Sequence, residues 1–486
     1  MRYDEDQLRV INCEDQKIVV EAFAGAGKTT TAVGYAEKRP NKKILYICFA
    51  KANQMEAQRR FPKNTNCKTT HSIAFAAVGR LYGDRVVKSW KARHVAEDMG
   101  LNIQKATLVH ASILEFLGNS EPSISLSVAA RACEKFNVHT SRAQEVCTLA
   151  NALWARMKDT NERVKLTHDA YLKIWALSKP QLPYDVIILD EAQDTNPVTA
   201  MVVLAQLKAV VLMIGDSHQS IFLFRGASNA MAQLAQAGAT VLKMPRTWRF
   251  GARTAAYANA LLQTYKEETA TIIGMGQDAP YEEGQPVTFL ARTNAGLFKL
   301  AAQRRGEGVH WVGGASNYRL ELVLDAYYLS VGQRSKIQDP LLSRYVSWTE
   351  YKEEAERSKD AEARILIEAV GTYGADIPQL IDDIKFNEVN DSASASRVLS
   401  TAHKAKGLDW KYVKLCDDFK VYELICESLA NNGCLTEDVK QEVNLLYVAL
   451  TRAKSKVFLN TDSRALFEGI KLRAQQALAE KEKLAV

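Results

Sequence analysis

No apolar run in the chain approaches the length of about 18 residues that a membrane-spanning helix requires. The amino-terminal MRYDEDQLRVI has no apolar signal core either. The sequence therefore predicts neither secretion nor membrane spanning, and an intracellular setting: cytoplasm and nucleoid, or the nucleus in a eukaryote. The eight cysteines (13, 48, 67, 133, 147, 416, 426, 434) form no CxxC pair and do not cluster with histidine. That pattern argues against a metal site and a disulfide framework, and for a reducing compartment. There is also no low-complexity linker and no short repeat, so the organisation has to be read from strand and helix patterns.

What is there is an ordinary soluble composition on a long chain. At 486 residues it exceeds one core, and roughly 150 residues per domain predicts two to four domains. Hydrophobic residues make up 47% and charged residues 24%, with a formal net charge of +7. A mildly basic balance is compatible with nucleic acid as a partner and equally with charge kept for solubility.

Short apolar runs that suit buried parallel strands recur between helical stretches. KIVVEA (17–22), KKILYICFA (42–50), YDVIILDEA (184–192) and AVVLMIGD (209–216) form one group; QPVTFLART (285–293), SRVLSTAH (396–403), YVKLC (412–416) and KVFLN (456–460) form a second. Alternation with helices predicts an α/β fold with two parallel-sheet cores. Each core is interrupted by a helix-like stretch. The expected boundaries are 1–75 plus 166–248 for the first core, 76–165 for its helical insertion, 249–315 plus 395–486 for the second core, and 316–394 for a small helical insertion. Residues after 460 read as one charged helix, which argues against a fused nuclease.

VVEAFAGAGKTTT (19–31) is a strand, a glycine-rich turn and a Lys-Thr that opens a helix. Gly25 and Gly27 allow the backbone to curl so that successive N–H groups face one anion. The helix beginning near Lys28 adds its positive end. In this pattern Lys28 reaches the β- and γ-phosphates and Thr29 holds Mg²⁺ through its hydroxyl. Ala22 stands where the generic pattern has glycine, and the bland alternative is a turn that merely joins strand to helix. In YDVIILDEAQD, Asp190 and Glu191 close a buried strand, where α/β sheets place ligands. Asp190 suits Mg²⁺ binding through water, and Glu191 a general base for the attacking water. The same residues also suit an acidic helix start.

With AFAGAGKTT, ILDEAQD and GDSHQSIFLFRGA in this order, the chain resembles the UvrD/Rep/PcrA branch of superfamily 1 helicases. PRTWRF (245–250), FLARTNA (289–295), STAHKAKGLDW (400–410) and EVNLLYVALTRAK (442–454) continue the resemblance, which runs from about residue 5 to 460 apart from most of the two helical insertions. CFAKANQMEA (48–57), TTHSIAF (69–75) and THDAYLKIWALS (167–178) are most similar to the F-box DNA helicase group. With no room for an F-box before residue 7, the motor alone is expected.

The resemblance implies two RecA-like P-loop domains, with Mg²⁺-ATP as fuel and closure of the two domains as the coupling step. It implies ATP contacts from Gln7, at the adenine edge, and from Ala22, Phe23, Ala24, Gly25, Ala26, Gly27, Lys28, Thr29 and Thr30. Trp248 takes the aromatic position near the base, with interface packing as its competing role. Asp409 takes a ribose-contacting position usually held by glutamate, one methylene longer. Gln219 touches the γ-phosphate or its water. Arg249 and Arg452 stabilise the γ-phosphate in the transition state, a task suited to guanidinium, with surface salt bridges as the alternative.

The resemblance also implies DNA contacts from Phe49, His71, Phe222, Phe224, Arg225 and His403, residue types that suit stacking on bases and contact with phosphates. Core or cap roles compete for several of these. A metal role is disfavoured for His71 and His403, because no Cys, His or acid lies at ligand spacing around them.

The expected activity is an ATP-dependent 3′-to-5′ DNA helicase or translocase on single-stranded DNA and duplex junctions. The expected working form is a monomer, with replication or repair proteins as partners. The short second insertion keeps another reading in play, a DNA-stimulated ATPase that strips proteins from DNA with little unwinding. A non-catalytic DNA-binding subunit is disfavoured by the intact Lys28, Asp190, Glu191, Gln219, Arg249 and Arg452.

Overall fold

A computed structural model describes residues 3–484 apart from 50, 137, 222–228, 304–305, 358–359 and 393. The chain divides into two compact units, Met1–Met244 and Pro245–Val486.

In the first unit six parallel strands form one sheet: β1 (Lys17–Ala22), β2 (Ile44–Ile47), β3 (Thr65–Lys68), β4 (Val186–Asp190), β5 (Val210–Gly215) and β6 (Thr240–Met244). Their spatial order is β3-β2-β4-β5-β1-β6. The central strands are covered on both faces, so Ile18, Val19 and Val20, like Ile187 and Ile188, are fully buried. That two-sided burial is why these strands read as unbroken apolar runs. The edge strands β3 (TNCK) and β6 (TVLKM) have a neighbour on one side only and carry polar residues. The strand pattern in the sequence passes over both.

Register then decides what meets at the sheet's carboxyl end. Glu21 pairs with Gly215 and Asp190 with Ile214, so β1, β4 and β5 finish side by side. The turns that leave these strands therefore share one surface, the place where parallel sheets put ligands.

The helical stretch in this unit contains Ala92–Met99, Ile103–Gly118, Leu126–Lys135 and Ala143–Lys158. Their apolar faces meet in one cluster with Trp175 and Val202, which belong to helices of the α/β part. Val109, Ile113, Phe116 and Leu153 are fully buried there, and each such side chain contributes roughly 1.5–3 kcal/mol. Lys173 is buried in the same layer, its Nζ donating to the Asn119 carbonyl at 2.6 Å and lying 4.2 Å from the centre of the Phe116 ring.

In the second unit a two-stranded pair, β7 (Arg246–Thr247) and β8 (Ile273–Gly274), precedes a five-stranded parallel sheet. That sheet holds β9 (Val287–Ala291), β10 (Val309–Trp311), β11 (Arg397–Thr401), β12 (Trp410–Leu415) and β13 (Ala453–Phe458), in the order β10-β11-β9-β12-β13. Helices Leu320–Ser330, Trp348–Arg357, Ala361–Tyr373 and Ile377–Phe386 are inserted before β11. They bury Val323, Leu329, Tyr351 and Leu380 in the same cluster as Phe289, Trp311 and Leu399 of the sheet. This insertion shares the sheet's core rather than building one of its own. The charged carboxyl-terminal stretch is the helix Thr461–Leu484.

Candidate active site

Between β1 and the helix Lys28–Glu37 the chain makes a tight turn, closed by Ala26 N–H donating to Phe23 O at 3.0 Å. Gly25 and Gly27 sit at φ 79° and 83°, left-handed backbone that a side chain strains. At Gly27 space adds a second constraint, because a Cβ there would stand 2.8 Å from Gln7 Nε2. Gln7 is held by a capping box at the start of the helix Glu5–Asn12, and its Nε2 donates to Ala26 O at 3.4 Å. Gln7 and the loop from Ala22 to Thr30 thus lie together. Ala22, Phe23, Ala24 and Ala26 are buried, Thr29 is half-buried, and Thr30 Oγ1 accepts from Arg60 at 3.0 Å.

Lys28 and the acidic pair of β4 meet directly, Lys28 Nζ lying 2.9 Å from Glu191 Oε1. Burial alone would lower the Lys28 pKa, but the carboxylates of Glu191, Asp190 and Asp216 outweigh it and raise the ammonium above its usual range. Asp190 shows the converse. Burial first and the neighbouring Glu191 second push its carboxyl up to about 6, against the opposing pull of Lys28 and Tyr46. Tyr46 on β2 donates its hydroxyl to Asp190 Oδ2, while Asp190 Oδ1 accepts from the Glu191 amide at 2.9 Å. Glu191 itself sits at φ 48°, left-handed backbone that is uncommon for a residue with a side chain and clusters at functional sites.

The turn after β5 is tied to both neighbours. Gln193 donates to Glu191 Oε2 at 2.6 Å and accepts from the Asp216 amide at 3.1 Å. Gln219 is buried and donates to Asp216 Oδ2 at 2.7 Å. Ser217 Oγ donates to the Glu21 carboxylate at 2.8 Å and His218 stacks on Phe23 at 5.9 Å, which fastens this turn to β1 and the glycine-rich loop. Glu21, Tyr46, Gln193 and Asp216 are site residues that the sequence reading did not assign. For Gln193 and Asp216 the adjacent motif was a signal; for Tyr46 there was none.

The donors gathered here are carboxylate and hydroxyl oxygens, with Asp190 and Thr29 at the ends of adjacent elements. Such hard oxygen ligands fit Mg²⁺, and curled amides beside a half-buried ammonium fit phosphate. When bound, Mg²⁺-nucleotide would supply the scissile phosphoanhydride, with Thr29 and Asp190 holding the ion and Lys28 the phosphates.

Trp248 and Arg249 follow β7 in the second unit, Trp248 being half exposed at 54%. Arg249 Nε lies 3.5 Å from Asp409 Oδ2, and its Nη1 donates to Thr451 O at 3.3 Å. Asp409 is also paired with Lys454 Nζ at 2.5 Å. Arg452 is only 1% exposed, with its guanidinium bonded to the carbonyls of Val448 and Leu408 at 2.9 and 3.1 Å. In its own unit it is a buried, hydrogen-bonded cation rather than a surface salt bridge.

Of the residues expected at DNA, Phe49 is 77% exposed and His71 lies on the helix Thr70–Ala77. Both line a cavity of about 110 Å³ whose other wall includes Asp190 and Glu191. His71 Nε2 is 2.9 Å from Asp169 Oδ1, an acid that no local spacing reveals. Among the described residues no group of three or more His, Cys, Asp or Glu could hold a metal ion. His403 lies on the short helix Ala402–Ala405, capped by Thr401. Phe222, Phe224 and Arg225 lie outside the described residues.

Comparison with known proteins matches the chain to two family models, whose matched residues overlap. A family model described as the UvrD/REP helicase N-terminal domain matches residues 3–238, and one described as the UvrD-like helicase C-terminal domain matches residues 153–464. F-box DNA helicase 1 of Gallus gallus is 32% identical over 95% of this chain and 49% of its own length. F-box DNA helicase protein 1 of Schizosaccharomyces pombe is 28% identical over 96% of this chain and 59% of its own length. The chain thus spans about half the length of the curated relatives it matches. With a phosphate loop, a strand-end acid pair and a family match over most of its length, the chain belongs to the UvrD-like helicase family.

Proposed function

We propose that the chain is an ATP-dependent DNA helicase or translocase that moves 3′ to 5′ along single-stranded DNA. The observation that carries this reading is the closure of Lys28 on Glu191 at the carboxyl ends of β1 and β4, beside Asp190 and Gln219. In this reading Gln7 takes the adenine edge and the loop from Ala22 to Thr30 takes the phosphates. Thr29 and Asp190 hold Mg²⁺. Glu191 accepts the proton of the attacking water, and Gln219 orients that water. Arg249 and Arg452 stabilise transition-state charge, and Trp248 and Asp409 contact the nucleoside. Phe49, His71, His403, Phe222, Phe224 and Arg225 are proposed DNA contacts, the last three from sequence alone. Two RecA-like cores, each with a helical insertion, form the proposed domain plan. The chain is proposed to work as a monomer inside the cell on single strands and duplex junctions, beside replication or repair proteins.

The second insertion favours one alternative. Its helices share one apolar core with the second sheet, which leaves little independent body for gripping duplex. Stripping of proteins from DNA with little unwinding would follow from that.

Strand displacement on duplexes with 3′ or 5′ tails, run beside ATP hydrolysis, tests both readings. Displacement of the 3′-tailed duplex alone is expected. Unwinding of the 5′-tailed duplex instead would overturn the polarity. DNA-stimulated hydrolysis without displacement would favour the alternative.

A further inference from the structure

We propose that Tyr46 is a positioning residue for Asp190, fixing the orientation in which that carboxylate meets a nucleotide-borne divalent cation; the inference rests on the nucleotide-site reading above. Tyr46 belongs to β2, the direct neighbour of β4, and pairs in register with Ile188. Its side chain runs forward along the shared face and delivers the phenolic O–H to Asp190 Oδ2. The Glu191 amide occupies one position on Oδ1 at 2.9 Å. Each carboxylate oxygen therefore has one fixed donor, and the group cannot rotate without breaking both bonds. Since an ionised carboxylate offers about four acceptor positions, roughly two remain for a cation or its water shell.

The phenol is itself held firmly. Tyr46 is 2% exposed, and its ring packs against Phe61 with centroids 4.4 Å apart and planes tilted by 41°. A buried tyrosine hydroxyl needs some partner, so the competing account is that Asp190 merely satisfies Tyr46. A backbone carbonyl would do that without taking an acceptor position from the residue proposed to hold the ion. The two accounts also differ in what they predict. A structural bond affects stability, whereas a partner of a metal-binding carboxylate sets metal affinity, by about 10–100-fold where such partners have been removed.

The test is Tyr46→Phe in the full chain, which keeps the ring and removes the hydroxyl. Binding of a fluorescent ADP analogue is titrated with Mg²⁺ at equilibrium, with no turnover required. Thermal unfolding and the Mg²⁺ dependence of hydrolysis are measured alongside. The half-saturating Mg²⁺ concentration should rise by about tenfold or more. Nucleotide binding in EDTA should stay unchanged, and kcat at saturating Mg²⁺ should largely recover. Phe61→Leu loosens the ring while retaining the hydroxyl and should move the Mg²⁺ requirement in the same direction by less. An unchanged Mg²⁺ requirement in both variants, whatever happens to Tm, would overturn the proposal. Failure of the wild-type chain to bind Mg²⁺-ADP would instead overturn the nucleotide-site reading, so the two failures are distinguishable.

Discussion

Lys28 and Glu191 are paired, ammonium to carboxylate, at 2.9 Å across the carboxyl ends of two strands. The residue proposed to hold phosphate and the residue proposed to activate water therefore restrain each other until a nucleotide competes for the lysine. In Lys28→Ala the phosphates lose their cation, and hydrolysis should fall by at least about 100-fold, the scale of losing one transition-state donor. Single-strand DNA binding, followed by fluorescence anisotropy, should persist. Turnover at the wild-type rate in that variant would refute the assignment.

Glu191→Gln breaks the pair from the other side. It removes a negative charge that competes with phosphate for Lys28 and can keep a hydrogen-bonded side chain beside Gln193. ATP should bind at least as tightly as in the wild type, while hydrolysis falls by roughly 100-fold or more. Equilibrium binding and single-turnover cleavage measure the two halves. Loss of binding would contradict the role of Glu191.

Arg249 and Arg452 should separate in their effects. Arg452 is buried and bonded to two carbonyls, so Arg452→Ala should cost about 2–4 kcal/mol of stability, seen as a Tm lower by roughly 5–15 °C. Arg249 is partly exposed, and Asp409 keeps Lys454 when Arg249 is removed. Arg249→Ala should leave Tm nearly unchanged and lower turnover by about 10³-fold. A thermal loss as large in Arg249→Ala as in Arg452→Ala would contradict this division.

Lys173 gives the helical layer a pH dependence. Burial depresses its pKa from 10.5 to about 8, with a weaker opposing pull from Glu121. Below the folded value both states are protonated, and the fold bears the cost of a buried ammonium. Between the folded and unfolded values the unfolded chain binds more protons, so the stability contribution rises with pH. Lys173→Met removes the titration while filling similar space. The Tm of the variant minus that of the wild type should therefore decrease from pH 7 to about pH 10. A difference that stays constant across this range would show that Lys173 keeps an ordinary pKa.

Much of this was legible in the linear chain because it is local. KIVVEA is β1 to the residue, and the glycine turn with its helix follows from residues 22 to 30 read alone. Central strands announce themselves because two-sided burial demands unbroken apolar runs. TNCK, TVLKM and VHW are strands as well, but at sheet edges a neighbour on one side suffices, so their polar residues conceal them.

The sequence by itself determined the central strands, the position of the phosphate loop and the family to which its motifs belong. Only the tertiary structure decided which side chains complete the site. Tyr46 and Asp190 stand 144 residues apart in the chain, and His71 and Asp169 stand 98 apart. The first pair exists because the chain returns to the strand beside β2, the second because it returns from the helical stretch to pack one helix on another. Strand order and register set the first meeting and the packing of two helices the second, and no local pattern of residue types encodes either.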